Sequence, residues 1–422
     1  AVLVAAPAGK ADDGIPYLNV WLHYDYMVGP GYSDAPSAAA MQMVVDLFKT
    51  HGVTLHIDPQ HSAIPAHRVI VPDWQSFYAA TPGFDDPSCT GPDAVSFSQL
   101  AADYFQPRSN HPWHYAVFGD YVVGDPAVSP DGQPYTSHCP VVSGEGKPQP
   151  GMTGDSQVGF SDIQEGLGYR FALAMQPFRD VGLIATDVRV AALFAHELGH
   201  NLGLCHGGPN VDNCFFSALG SGANFKPNYI SVMNYDFEFG IPYAATPGST
   251  LIAGWRIDYS DAALPDLHED CLDETAGIRG TTHPDDVTTA FGRLFPVVGP
   301  VDWNGDGNST DLCVQRDLNG DRVRTTLTGA DDWAWLHARL TPPAISLITT
   351  TARVGEPIDL AAVNVMAPAL VIFAGHVTAT PVPFNPDGVV NVVVPPGARS
   401  GPITIITPEG KAETSQSLTI TF

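Results

Sequence analysis

Residues 196–208 read HELGHNLGLCHGG. On a helix, positions four apart share a face, so His196 and His200 can both turn an imidazole nitrogen to one metal ion at about 2.0–2.1 Å. Glu197, one position on, points slightly aside. That offset keeps its carboxylate from acting as a third ligand and leaves it free to take a proton from water at the metal. The preceding run DVRVAALFAHELGHNL (187–202) is rich in Ala and Leu and predicts a helix that stops at Gly203, where a positive φ lets the chain swing back. His206 then becomes available as a third ligand. Three neutral nitrogens would leave a fourth position open, as a catalytic rather than a structural zinc requires. The competing reading is a surface helix carrying incidental histidines, and the full spacing HExxHxxGxxH weighs against it.

The stretch resembles the signature of the metzincin clan of zinc peptidases at its defining positions, His196, Glu197, His200, Gly203 and His206. Downstream, SVMNY (231–235) looks like that clan's Met-turn, with Met233 as the apolar base beneath the metal. Tyr235 stands where astacin-like and serralysin-like members carry a tyrosine that approaches the metal or the oxyanion. Gly207 matches neither the Glu of astacins nor the Pro of serralysins, so the subfamily stays open. The resemblance implies an α+β catalytic domain, a twisted mixed sheet with an active-site helix. It also implies peptide-bond hydrolysis in protein or peptide substrates, with Glu197 as general base and then acid and Tyr235 as transition-state donor. Substrate would lie extended along a sheet edge, and DFEFGIPY (236–243) would help shape the pocket for the residue after the cut bond.

Working outward, YLNVWLHYDYM (17–27) alternates apolar and polar residues and predicts a strand. A helix is expected next, capped by Ser33 or Asp34, with Met41, Val44, Val45 and Phe48 on its buried face and Gly52 at its end. VTLHI (53–57) then reads as a strand that completes a parallel crossover. Histidines 51, 56, 61 and 67 share no clear helix face and read as surface or core residues. After Leu340 the character changes to short β-branched runs, ALVIF (369–373), VVNVVV (389–394) and ITII (403–406), which predict a β-sandwich. The segment 394–420 is similar to the IPT/TIG type of immunoglobulin-like fold. We therefore expect a catalytic domain over 1–340 and an immunoglobulin-like domain over 341–422.

The chain has 422 residues, with 45 acidic against 19 basic side chains and a formal net charge of −26. Such a surface repels nucleic acid and anionic lipid and favours cations. No stretch reaches the roughly 20 apolar residues of a membrane helix, and the chain reads as a mature, soluble, monomeric protein. Its six cysteines fall in sequential pairs, Cys89 with Cys139, Cys205 with Cys214 and Cys271 with Cys313. No CxxC is present, so disulfides in a secreted protein are the natural reading, although sequence alone leaves the pairing open. A bridge at Cys205 would restrain His206, whereas a free thiolate there would compete for the metal.

Residues 301–321, VDWNGDGNSTDLCVQRDLNGD, place oxygen side chains alternately at Asp302, Asn304 and Asp306 and again at Asp317, Asn319 and Asp321. Calcium loops need that alternation, though Cys313 replaces the Glu that closes an EF-hand; an Asx-rich turn is the alternative. The acidic run HEDCLDE (268–274) is expected to be a solvated helix face. One rival to an enzyme with zinc and calcium is a secreted adhesion or glycan-binding protein whose zinc site is vestigial. The intact Glu197 argues against it, because a purely structural site needs no base.

Overall fold

The computed structural model describes residues 18–67, 69–71, 94–105, 113–122, 159–161, 170–176, 178, 185–209, 224–280, 283–290, 292–340, 344–363, 370–379, 389–407 and 410–421. The architecture is α+β. Strand β1 (Leu18–Gly29) lies at the centre of a mixed sheet, and its alternation sorts side chains as its sequence predicts. Val20, Leu22 and Tyr24 enter the main core, while His23, Asp25 and Met27 face the other side of the sheet. Helix α1 (Ala38–Thr50) buries Met41, Val44, Leu47 and Phe48, with Val45 at the margin. Its cap is Ser37, whose hydroxyl accepts the Ala40 N–H, so neither Ser33 nor Asp34 serves. Gly52 turns the chain at φ 72° into β2 (Val53–Ile57), parallel to β1.

On the other side of β1 the sheet continues with β3 (Trp113–Gly119), β5 (Arg170–Ala174) and the edge strand β4 (Gly159–Ser161). β3 and β5 run parallel to β1, and β4 runs antiparallel to β5. Helix α2 (Phe97–Tyr104) packs Phe97 and Leu100 with Tyr115 and Val117 on one face. The opposite face carries α1 and α3 (Asp187–Asn201). From Val190 to Asn201 every residue of α3 is buried. At about 1.5–3 kcal/mol for each large apolar side chain taken from water, Leu193, Phe194 and Leu198 alone hold this helix firmly on the sheet. The two helix starts are also linked, because the Ser37 hydroxyl donates to Asp187 at 2.5 Å.

Beyond α3, residues 224–330 follow an irregular course around a smaller core that includes Phe237, Ile241, Phe295 and Trp303. Helix α4 (Asp332–Leu340) returns Trp333 and Leu336 to the main core. After it come only strands among the described residues. Ala344–Leu347, Pro357–Val363 and Val389–Val393 form one antiparallel sheet. Leu370–Phe373, Val377–Ala379, Thr404–Thr407 and Gly410–Glu413 form another. Between them lies a core of Ile358, Leu360, Val371, Phe373, Val392 and Ile405, with its own set of buried residues.

The acidic run 268–274 departs from expectation. Glu269 and Glu274 are fully buried rather than solvated. Glu274 accepts the N–H groups of Trp303 and Asp311, and Glu269 accepts those of Leu318 and Thr325. A buried carboxylate is tolerated where backbone donors replace its water.

Candidate functional site

Helix α3 brings His196 and His200 to one face, and its end delivers the third imidazole. Gly203 adopts φ 92°, the Leu204 N–H donates to Gly199 at 2.9 Å, and the chain doubles back to present His206. His200 Nε2 lies 3.1 Å from His196 Nε2 and 3.0 Å from His206 Nε2. Among the described residues this is the one place where three His, Cys, Asp or Glu ligand atoms converge.

The other ring nitrogens decide the tautomers. His196 Nδ1 is 2.6 Å from the Val232 carbonyl, and His200 Nδ1 is 2.9 Å from the Leu204 carbonyl. A carbonyl only accepts, so both Nδ1 atoms carry hydrogen. Burial, and then the charge of His200, push His196 down to about 3, against the opposing bond to Val232. Burial pushes His200 down to about 4, and His206 falls well below the ordinary imidazole value for the same reason. Neutral rings protonated at Nδ1 leave the Nε2 lone pairs of His196 and His200 facing one another, with His206 Nε2 beside them. Such a cluster suits a cation at its centre, and the donor set fits zinc. His206 differs from the other two in that its buried Nδ1 has no hydrogen-bond partner among the described residues.

Met233 lies directly against this helix. A Cβ at Gly199 would stand 2.4 Å from Met233 Sδ and 3.0 Å from Tyr259 Cε1, so glycine is what permits the approach. The turn bearing Met233 is fixed by the Val232 N–H donating to Asp258 and by Asn234, whose amide donates to the Lys226 and Tyr229 carbonyls. Tyr235 places its ring centroid 4.1 Å from that of His206 and 5.7 Å from that of His196. Asn224 holds the Tyr235 N–H at 3.1 Å. Glu197 is buried beside the histidines. Its charge reaches Glu238, whose carboxyl is pushed up to about 8 by burial first and Glu197 second.

Several residues here carry no motif that sequence reasoning could find. Fully buried Asp332, at the start of α4, accepts from the Tyr229 and Ser231 hydroxyls and the Ser260 N–H. Burial pushes its carboxyl up to about 6, against those hydrogen bonds. Lys226 is 3% exposed and donates to the Gly207 and Thr328 carbonyls. Glu238, within the stretch 236–243 expected to shape the substrate pocket, joins the site through Glu197. Lys226 had only its proximity to SVMNY, and Asp332 had no hint in sequence.

Cys205 is disulfide-bonded, which removes a free thiolate beside His206. Cys89, Cys139 and Cys214 lie outside the described residues. Cys271 and Cys313 are bridged as the sequential pairing anticipated. Asp302 gathers the N–H groups of Gly305, Asp306 and Gly307, and Asp317 gathers those of Gly320 and Arg322. Asn304 and Asp306 accept local N–H groups within the first turn, and Asn319 and Asp321 do so in the second. No described helix is long and apolar enough to cross a membrane.

No family model matches the chain, and no curated protein is similar to it. Among solved structures, that of murine CEACAM1b aligns at 12% identity over 40% of this chain and 89% of its own, with a TM-score of 0.14, too loose a likeness to bear on fold or function.

Proposed function

We propose that the chain is a secreted zinc-dependent metalloendopeptidase with a metzincin-like catalytic domain over 1–340. The observation that carries this reading is the convergence of His196, His200 and His206 through Nε2, with Nδ1 of the first two anchored on backbone carbonyls and Glu197 buried alongside. Zinc held by these rings would supply Lewis-acid polarisation of a carbonyl and a water acidic enough to react near neutral pH. Glu197 would accept that water's proton and return it to the leaving amine. Tyr235, its ring against His206, would donate its hydroxyl to the developing oxyanion. Edge strand β4 neighbours β5 on one side, and no described strand pairs with its other side. An extended substrate would add there by main-chain hydrogen bonds.

Three further parts belong to the same proposal. Calcium would bind the loops around Asp302 and Asp317, a reading supported by the alternation of oxygen side chains. Secretion is supported by bonded cysteines at 205, 271 and 313. An immunoglobulin-like module over 341–422 is supported by its separate core.

The test is Glu197→Ala. Cleavage of casein should stop while zinc remains equimolar with protein by elemental analysis. Cleavage that persists in a variant with normal zinc content would remove Glu197 as the base. Wild-type protein that takes up no zinc, or takes it up and cuts no peptide library, would overturn the enzyme reading and favour an adhesion or binding role.

A further inference from the structure

Each of the first two histidines is oriented by a hydrogen bond from its own Nδ1, and among the described residues the third has no such partner. Metal-binding imidazoles usually depend on such an outer partner, so the orientation of His206 rests on its backbone and on the Tyr235 ring against it. The carbonyl that follows it is held by a buried side chain. Lys226 Nζ donates to the Gly207 carbonyl at 2.6 Å, while the Tyr229 hydroxyl, 3.3 Å from the Cys205 carbonyl, gives its one hydrogen to Asp332 at 2.9 Å. The same ammonium reaches the Thr328 carbonyl at 2.7 Å and lies 5.2 Å from the centroid of the Tyr229 ring. Lys226 is 3% exposed, and no described carboxylate stands within ion-pair distance of it; Asp332 and Asp266 act on it only from farther away. Burying an ammonium against neutral carbonyls is costly. The loop it secures is the one that carries the third ligand.

We propose that Lys226 is a positioning residue that clamps the backbone beside His206 and so does for this ring what the Nδ1 hydrogen bonds do for His196 and His200. The inference rests on the reading of the three histidines as a metal site. It predicts that Lys226 sets metal affinity and coordination geometry without touching metal or substrate.

The experiment compares wild type, Lys226→Met and Lys226→Gln in the full chain. Zinc affinity is read by competition with a chromogenic chelator, geometry by the visible spectrum of the cobalt(II)-loaded protein, and folding by circular dichroism and Tm. Lys226→Met should bind zinc about 10- to 100-fold more weakly and shift the cobalt spectrum, and Lys226→Gln, which keeps a shorter amide donor, should move both readouts in the same direction by less. If Lys226→Met lowers Tm but leaves affinity and spectrum at wild-type values, the residue is merely structural and the inference falls. If Lys226→Met does not fold, Lys226→Gln carries the test, and an unchanged spectrum and affinity in that variant sink the clamp. Wild-type protein that binds neither metal would refute the metal site itself, a result distinct from either failure of the clamp.

Discussion

Gly199→Ala sets two well-known effects against each other at one atom. In a helix interior, alanine is favoured over glycine by about 0.8–1.0 kcal/mol. Here the added methyl would stand 2.4 Å from Met233 Sδ, 3.0 Å from Tyr259 Cε1 and 3.4 Å from Met233 Cε. Met233 and Tyr259 are 0% and 1% exposed, so neither can swing into solvent. Overpacking of this kind costs about 1–3 kcal/mol, and the balance is a net loss of up to about 2 kcal/mol.

The decisive form of the test is a double-mutant cycle with Met233→Ala, which removes the sulfur and opens the space. In that background Gly199→Ala should turn neutral or stabilising, with a coupling energy of about 1–2 kcal/mol. Urea unfolding of metal-free protein, followed by far-UV circular dichroism at one pH, measures all four corners. If Gly199→Ala stabilised the parent by about 1 kcal/mol, as helix propensity alone would have it, then Met233 would not pack beneath the ligand helix. The physical basis for identifying 231–235 as a supporting turn would go with it.

Asp332→Ala would leave the Ser231 hydroxyl and the Ser260 N–H short of a buried acceptor, while the Tyr229 hydroxyl could turn to the Cys205 carbonyl; at about 1–3 kcal/mol for each stranded donor, thermal or urea unfolding should show a loss of at least about 2 kcal/mol. On the far face of the sheet, burial disfavours a charged His23, but its hydrogen bonds to Asp25 and Asp58 and their charges prevail, so its folded pKa lies above the ordinary imidazole value. The stability this contributes is full below about pH 6.5 and drains away as pH rises through the folded value. The advantage of wild type over His23→Asn in urea should therefore shrink as pH rises above about 6.5, and an advantage that grew as pH rose would reverse the assignment. For the loops at 302–321, calcium should raise Tm and a calcium chelator should lower it, with Asp302→Ala abolishing the response at that loop; a Tm indifferent to calcium would leave them as Asx-rich turns.

What could be read from the sequence follows from how each feature is encoded. The ligand helix was legible because one metal needs two histidines four residues apart on a 3.6-residue repeat, followed by a glycine able to reach φ 92°. Strand β1 was legible because alternate residues enter different cores. The cap of α1 was harder, since Ser33, Asp34 and Ser37 are all competent residue types within five positions. Ser37 serves, and its hydroxyl also reaches Asp187, 150 positions away, a contact that no local window contains. The run 268–274 failed for the same reason. A carboxylate is costly to bury without donors, and Glu269 and Glu274 find theirs on backbone N–H groups that only the folded loops bring near. Lys226 and Asp332 are the extreme case: each is a single side chain that neutralises backbone or hydroxyl dipoles from remote segments, with no partner of fixed type and no spacing to repeat. Residues that bind a metal through their side chains must be of particular kinds at particular intervals. Residues that hold those ligands in place through backbone carbonyls need only be long enough and polar at the tip, so the supporting half of such a site stays hidden until the chain is folded.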